Sequence, residues 1–383
     1  MQLRTLAEAN IQPGTRVLVR VDFDVAIGNG KIQEDYRIKA SLGTIDVLLR
    51  KQARVRLIAH LGRPEGKRVK ALSLQPIAAY AGKILKREIS FIADPFSADP
   101  ASDESIVCYE NLRFWKGEEE NDPAFASALA KHGDIYINEA FAACHRKHAS
   151  IAALAGLLPS YAGNRLEQEV KTLENLFQNP KRPFISILGG AKIATKLPLI
   201  KRFLDETDRV LLAGQLANTL LAMHGYSVGK SFVDTEAAKT IPDSIWKNPK
   251  LFLPTDAVVA TSMKTTDKFR IASLNGIKPN EYILDIGPAT VKTFSQELLG
   301  ARTVVWNGPL GLTENKLFAK GTVAVGRAVS KIDGFSVIGG GDTISALHAN
   351  RLLGKIGYVS TGGGAMLEFL AGDMLPGIEA LRK

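Results

Sequence analysis

Short apolar runs rich in β-branched residues alternate along the chain with stretches whose apolar positions recur at helical spacing. Residues 16–23 alternate polar and apolar side chains and close on Asp22-Phe23-Asp24, the pattern of a strand. Ile38, Leu42, Ile45 and Leu49 then fall three and four positions apart and predict a helix. Residues 55–59, 106–109 and 135–138 predict further strands, and residues 74–86 a helix. The second half repeats the theme, with buried strands expected at 183–188, 209–213, 257–260, 303–305, 335–338 and 358–360. Helical stretches separate most of them, so the expected class is α/β, with doubly wound parallel sheets covered by helices on both faces. A helical segment over 163–177 runs into Gln178-Asn179-Pro180-Lys181-Arg182-Pro183, where two closely spaced prolines end one domain and start the next. The expected domains are 1–167 and 168–371. The tail 372–383 holds the turn Leu375-Pro376-Gly377 and then a short helix.

A chain of 383 residues is long enough for two self-sufficient cores. Its two cysteines, Cys108 and Cys144, fit a reducing compartment rather than a disulfide scaffold. The first ten residues hold no apolar signal segment, and no apolar run nears the ~18–20 residues of a membrane span. A cytoplasmic protein with no membrane partner is expected. The net charge of +10 raises the question of nucleic acid. The excess is spread over both halves, and its densest cluster, Arg63, Lys67, Arg68 and Lys70, reads better as a solvated or anion-binding loop. No nucleic-acid partner is expected.

Ligands of doubly wound sheets bind outside the carboxyl ends of the strands. In the first half those ends carry Asp22-Phe23-Asp24, His60-Leu61-Gly62-Arg63, Glu110-Asn111-Leu112-Arg113 and Asn138-Glu139 followed by His145-Arg146, with Arg37 opening the nearby helix. One loop arginine is ordinarily only solvated. Arg37, Arg63, Arg113 and Arg146 at equivalent places read as a site for a small, multiply charged anion, whose oxygens match guanidinium forks. In the second half the ends carry Gly189-Gly190-Ala191-Lys192 with Lys196 beyond, Trp306-Asn307-Gly308-Pro309, Gly339-Gly340-Gly341-Asp342-Thr343 and Thr361-Gly362-Gly363-Gly364. Glycine lets the backbone approach a ligand, and the following helix aims free N–H groups at an anion. Together these turns read as a polyphosphate site, although any one of them is also an ordinary tight connection. Lys192 and Lys196 share a helical face, and Asp342 suits Mg²⁺ beside phosphate. Gly225-Tyr226-Ser227-Val228-Gly229-Lys230-Ser231 imitates a P-loop but is one residue short between its glycines, so it reads as a turn. Gly28-Asn29-Gly30 reads as a hairpin turn, and Cys144, His145 and His148 lack a full zinc ligand set.

The runs Arg20-Val21-Asp22-Phe23, His60-Leu61-Gly62-Arg63-Pro64, Glu110-Asn111-Leu112-Arg113-Phe114, Gly189-Gly190-Ala191-Lys192, Asp285-Ile286-Gly287-Pro288, Val305-Trp306-Asn307-Gly308-Pro309, Gly339 to Asp342 and Ser360 to Ala365 resemble those of phosphoglycerate kinases, in the same order and over nearly the whole chain. The resemblance implies two Rossmann-like domains facing across a hinged cleft, with 372–383 packing back on the first. It implies reversible phosphoryl transfer from 1,3-bisphosphoglycerate to ADP, in glycolysis or gluconeogenesis, by a cytoplasmic monomer. Carried over by motif, Asp22, Phe23, Asp24, Arg37, His60, Leu61, Gly62, Arg63, Arg113 and Arg146 would hold 3-phosphoglycerate. Lys196, Gly214, Glu314, Gly340, Gly341, Asp342 and Thr343 would hold ATP or ADP, with Asp342 on Mg²⁺ and Gly362, Gly363 and Gly364 forming an anion-binding turn. Arg37 and Lys192 would stabilise the phosphoryl group in flight. The acceptor is a carboxylate, already nucleophilic at neutral pH, so the chemistry asks for charge cover and alignment rather than a base.

Four departures from the family pattern stand out. Asp24 occupies a place usually held by asparagine, which sets a carboxylate beside an anionic substrate unless it is neutralised or rotated away. Ile193-Ala194-Thr195 follows Lys192 where a valine-serine-aspartate type of run is usual. Ala213-Gly214-Gln215 replaces a triple-glycine turn, and Ala142-Ala143-Cys144 replaces glycine-threonine-alanine. A catalytically impaired homologue that still binds nucleotide is therefore the main alternative. A dehydrogenase lacks its Gly-x-Gly-x-x-Gly fingerprint here. A nucleic-acid binder would rest on charge alone.

Overall fold

The structure is a computed structural model that describes residues 1–28, 31–97, 103–190, 193 and 196–383. It forms two compact units, one of Met1–Leu173 with Gly372–Lys383 and the other of Glu174–Ala371. The chain passes from one to the other inside the helix Asn164–Gln178.

The strands of the first unit are β1 (Arg16–Arg20), β2 (Ile27–Gly28), β3 (Lys31–Ile32), β4 (Arg54–Ile58), β5 (Ser90–Ile92), β6 (Ile106–Tyr109), β7 (Ile135–Asn138) and β8 (Ser160–Ala162). Six of them build one sheet in the order β5-β6-β4-β1-β7-β8, with every pairing parallel. β2 and β3 pair antiparallel, with Ile27 opposite Ile32, while Asn29 and Gly30 of the expected turn lie outside the described residues. Because side chains alternate along a strand, β1 feeds two cores. Val17 and Val19 face Ile38, Leu42, Ile45, Ile77 and Ala81 from the helices Tyr36–Arg50 and Gln75–Leu85. Leu18 faces the other way, toward Phe125, Ala126 and Leu129 of the helix Pro123–Ala130. The last residues clasp this unit. Leu3 bridges Arg382, Arg4 donates from its backbone to Leu381 O at 2.9 Å, and Gly377 donates to Cys144 O at 2.9 Å.

The second unit continues with β9 (Phe184–Leu188), β10 (Arg209–Leu212), β11 (Leu251–Phe252), β12 (Asp256–Ala260), β13 (Arg270–Ser273), β14 (Tyr282–Ile286), β15 (Thr303–Asn307), β16 (Phe335–Gly339) and β17 (Tyr358–Val359). Its six-stranded sheet runs β11-β10-β9-β15-β16-β17, again parallel throughout. The strand expected at 257–260 does not join it. β12 is the centre of a separate antiparallel sheet, β13-β12-β14. The connecting residues 261–269 and 274–281 explain this, because a parallel crossover needs roughly a dozen residues or more. A β-branched run looks the same in either setting, and only the lengths around it distinguish them.

Asp256, at the head of β12, ties this small sheet to the helix Pro288–Glu297. Its carboxylate accepts from Ala289 N at 2.9 Å, Thr290 N at 2.8 Å and Thr290 Oγ1 at 2.7 Å, which satisfies N–H groups the first helical turn leaves open. Asp256→Ala is expected to lower the unfolding free energy by about 2 kcal/mol, since it strips those donors in a buried position. Urea denaturation checks this, and an unchanged midpoint would show that the tie is not needed.

Candidate active-site residues in the two units

In the first unit the polar residues gather beyond the carboxyl ends of β1, β4 and β6. Arg37 opens the helix Tyr36–Arg50 and donates from Nη1 to Asp24 O at 2.9 Å, while its Nε lies 3.6 Å from Asp22 Oδ2. Gly62 donates its N–H to Asp24 Oδ1 at 2.9 Å and accepts from Arg113 Nη1 at 2.6 Å. Its φ of +62° is a left-handed conformation that suits glycine, and a side-chain carbon there would also press on Leu72. Arg113 is almost fully buried, and its guanidinium falls to about 10, first through burial and then through the nearby charges of Arg146 and Arg20. Arg146 is likewise pulled down, first by burial and then by Arg63. The four arginines expected to work together thus share one electrostatic neighbourhood, with Arg63 the exposed member.

His60 is the pivot of this cluster. Arg20 Nη2 lies 2.8 Å from His60 Nδ1, and a guanidinium only donates, so Nδ1 is the acceptor. The proton of the neutral ring therefore sits on Nε2, which points at Asp24 Oδ2 at 3.6 Å. Burial pushes His60 down to about 3, so the ring is neutral through the physiological range. Asp24 is the converse case. Burial alone would raise its carboxyl, but the His60 ring 3.6 Å away, the Gly62 N–H and Arg37 outweigh that and hold it well below the usual carboxylate range. These partners favour the ionised form of Asp24 within the protein. Burial pushes Asp22 up even though Arg37 is beside it.

Two expected contacts are placed elsewhere. Phe23 is fully buried in the same core as Val19 and Ile38, so its ring faces no ligand. Leu61 is buried, and its backbone N–H and carbonyl are both taken by the Asn111 amide. Asn138, at the end of β7, is also committed inward, to Ala140 N at 3.0 Å.

In the second unit the turns after β9 and β15 touch through glycine. A side-chain carbon on Gly189 would overlap the Pro309 carbonyl, and one on Gly308 would overlap Gly189 O. Next to them lies a cavity of about 400 Å³ lined by Gly190, Gly214, Gln215, Asn218, Ile283, Asp285, Leu310, Glu314 and Asp342, among others. Gly214, Glu314 and Asp342 were expected there. Gly340, at φ +96°, caps the helix Gly341–Ala349, and the Gly363 turn packs against it. Gly340, Gly341, Thr343 and the Gly362-Gly363-Gly364 turn are outside the cavity lining, on the neighbouring strand ends. Thr343 Oγ1 is buried there without a hydrogen-bond partner among the described residues. Lys196 begins the helix Leu197–Glu206 and donates from Nζ to Gly189 O at 2.6 Å; burial lowers its ammonium to about 8. Lys192 lies outside the described residues.

Sequence reasoning missed several lining residues. Lys230 and Ser231 come from the run dismissed as a failed P-loop. That run is a turn, bridged at Gly229 to Tyr282, yet it delivers both residues to the cavity wall. Asn218 was missed because it sits inside a helical period among apolar neighbours. The Asp342 carboxyl is raised, first by burial and then by Glu314, so two acidic groups share this wall. Among the described residues no cluster of three or more His, Cys, Asp or Glu side chains makes a metal centre.

Comparison with known proteins agrees with this geometry. The model of the family described as phosphoglycerate kinase matches residues 7–373. The chain belongs to the phosphoglycerate kinase family. It is 43% identical over 376 residues to the phosphoglycerate kinase of Moorella thermoacetica, covering 96% of each chain. The structure of phosphoglycerate kinase from Coxiella burnetii aligns with a TM-score of 0.82 at 39% identity, covering 99% of this chain and 98% of that one. The enzyme from Pyrococcus horikoshii aligns with a TM-score of 0.86 at 30% identity over the same shares. The activity is that of the family, phosphoryl transfer with a carboxylate as acceptor.

The fixed tautomer of His60 is directly measurable. The folded protein refuses a proton that the unfolded chain takes near pH 6.5, so His60 is expected to stay neutral and Nε2-protonated down to pH 4. Nitrogen-15 shifts of the ring check this, and titration near 6.5 would mean that the Arg20 contact does not hold in solution.

Proposed function

We propose that the chain interconverts 1,3-bisphosphoglycerate and ADP with 3-phosphoglycerate and ATP, by in-line attack of the carboxylate on the phosphoryl group. The observation that carries this reading is the cluster beyond β1, β4 and β6, which offers four arginines and no free base. His60 Nδ1 is taken by Arg20, Asp24 accepts from Gly62, and Asp22 faces Arg37. Such a set suits a reaction whose nucleophile is already ionised and whose need is charge neutralisation. In this reading the first unit, residues 1–167 with the returning tail 372–383, holds the glycerate and its phosphate on Asp22, Asp24, Arg37, His60, Gly62, Arg63, Arg113 and Arg146. The second, residues 168–371, holds the nucleotide in the cavity beside Gly214 and Glu314. Its phosphates lie on Lys196 and on the N–H groups of the Gly340 and Gly363 turns. Arg37 and Lys192 cover the transferring phosphoryl.

Mg²⁺ fits the residues present. Asp342 and Glu314 line one wall, and the Asp342 carboxyl is raised first by burial and then by Glu314, so two hard oxygen donors stand where a cation would be welcome. Asp342 would hold the magnesium ion, which would supply positive charge beside the phosphates. The hinge bending, monomeric state and cytoplasmic location implied by the resemblance belong to the same proposal. Among the described residues no helix is long and apolar enough to cross a membrane.

A coupled assay for ATP- and 3-phosphoglycerate-dependent formation of 1,3-bisphosphoglycerate tests this. Lys192→Ala is expected to lower kcat by about 10²–10³-fold while ADP still binds, as for loss of one donor to a transition-state charge. A folded wild-type protein that binds nucleotide without turnover would instead mark an impaired homologue.

Lys196 adds a pH signature. Its ammonium is lowered to about 8 by burial, and a bound phosphate favours the charged form. Binding ADP should therefore take up a proton above pH 8, and affinity should fall as pH rises further. Calorimetry at pH 8.5 in two buffers of different ionisation enthalpy measures that uptake. Lys196→Met should abolish it.

A further inference from the structure

A carboxyl sealed away from solvent stands just beyond the end of β7. Glu139 is 1% exposed, so it touches no ligand, and the proposed chemistry does not use it. Its Oε1 accepts from Thr44 Oγ1 at 2.7 Å and from Arg165 N at 3.0 Å. Its Oε2 has no hydrogen-bond partner among the described residues and lies against Gly163, where a side-chain carbon would overlap it. Burial pushes the carboxyl up to about 8, against the pull of Thr44 and of the Arg165 and Leu166 N–H groups, so it is neutral at pH 7. A polar oxygen left sealed and unpaired costs stability, a cost that an aliphatic side chain would avoid.

The contacts of Glu139 join three segments of the first unit. The helix Asn164–Gln178 follows Gly163, which has no side chain to cap it. Its first N–H groups are taken instead by residues distant in the chain. Asn164 N donates to Thr44 Oγ1 at 3.0 Å, and Arg165 N donates to Glu139. Thr44 is fully buried within the helix Tyr36–Arg50, where a β-branched hydroxyl residue is a weak helix former. Its hydroxyl accepts from Asn164 and donates to Glu139. Arg165 adds a second tie nearer the start of that helix. It donates from Nη2 to Tyr36 Oη at 3.2 Å, and its guanidinium lies 5.6 Å from the centre of the Tyr36 ring. The helix that carries Arg37 is thus fastened at both Tyr36 and Thr44 to the first turn of the helix Asn164–Gln178.

We propose that Glu139 is a positioning residue for the reaction: with Thr44 it holds the helix of Arg37 against the first turn of the helix Asn164–Gln178, and so fixes where the Arg37 guanidinium stands. Arg37 directly follows the tied Tyr36, and its own side chain reaches only Asp24 O and the neighbourhood of Asp22. A shift of the helix start therefore moves the guanidinium. The proposal rests on the reading that Arg37 covers the transferring phosphoryl group.

The test measures kcat and the KM of each substrate at pH 7, below the melting temperature of every variant, with ADP affinity by calorimetry alongside. Thr44→Val keeps the shape of threonine and removes the hydroxyl, and Glu139→Ala removes the carboxyl. Each should lower kcat by roughly tenfold or more, the scale on which a misplacement of up to about 1 Å is felt. Thr44→Val carries the test alone should Glu139→Ala fail to fold. Thr44→Ser and Glu139→Gln, which keep the hydroxyl and a neutral acceptor, should restore kcat. ADP affinity should not change, because no residue of the tie belongs to the second unit. Variants that melt at lower temperature but keep the wild-type kcat while folded would show a structural role only and overturn the proposal. Arg37→Ala separates the two levels. In that background Thr44→Val should cost almost nothing further, since it acts through Arg37, and a full additional loss overturns the proposal. If Arg37→Ala lowers kcat while Thr44→Val does not, the positioning role alone is wrong. If Arg37→Ala leaves kcat unchanged, the reading of Arg37 falls, and the positioning role falls with it.

Discussion

A guanidinium buried at the carboxyl end of the central strand organises the first unit. Arg20 has no exposed surface, and a buried charge persists only if every donor finds a partner. Its Nε donates to Ser150 Oγ at 2.9 Å, Nη1 to Val21 O at 2.7 Å and Nη2 to His60 Nδ1 at 2.8 Å. Ser150 in turn donates to Glu118 Oε1 at 2.6 Å, which supplies the compensating carboxylate through one intermediary. The network then continues outward. His60 turns its remaining N–H to Asp24, Asp24 accepts from Gly62, and Gly62 accepts from Arg113. A core requirement, satisfying Arg20, thereby dictates which nitrogen of His60 carries the proton and where the loop arginines stand. Residues that would touch substrate are set by residues that never do.

The second unit solves a similar problem with backbone rather than side chains. Its turns after β9, β15 and β16 pass so close that side-chain carbons on Gly189 and Gly308 would collide with neighbouring backbone. Buried strands on both faces of a parallel sheet leave only the strand ends for polar chemistry, so both units place it there. They differ in what they put at those ends.

That difference explains what the sequence made legible. Strand ends could be read because apolar runs stop abruptly, and the residues that follow are local. Arg63, Arg113 and Arg146 could therefore be grouped from sequence, and they feel one another's charge although they come from separate segments. The glycine turns were equally visible. Contacts that depend on tertiary approach were not. The position of β12 in its own antiparallel sheet is set by loop lengths rather than by its residues. Lys230 and Ser231 reach the cavity because Gly229 bridges Tyr282, a pairing with no local signal. Phe23 and Leu61 belong to motif runs, but alternation along the chain turns their side chains into the core. The Asp24 charge looked like an obstacle in sequence because its partners, Gly62 and His60, are distant in the chain.

The two strategies also differ in how they respond to solution conditions. Arginines remain ionised across the physiological range, and the buried Arg113 is lowered only to about 10. An anion held by such a set feels salt strongly, since every contact is charge to charge, but feels pH little. His60 reinforces this, because burial lowers it to about 3 and leaves the ring neutral across the physiological range. In the second unit the backbone N–H groups carry no titratable charge. The cation identified beside them, Lys196, sits at about 8 because burial next to Gly189 O desolvates it without supplying a carboxylate. A phosphate arriving there completes an ion pair that the free protein lacks. In the proposed function, nucleotide binding and protonation of Lys196 are therefore linked, whereas glycerate would meet arginines that stay ionised throughout that range.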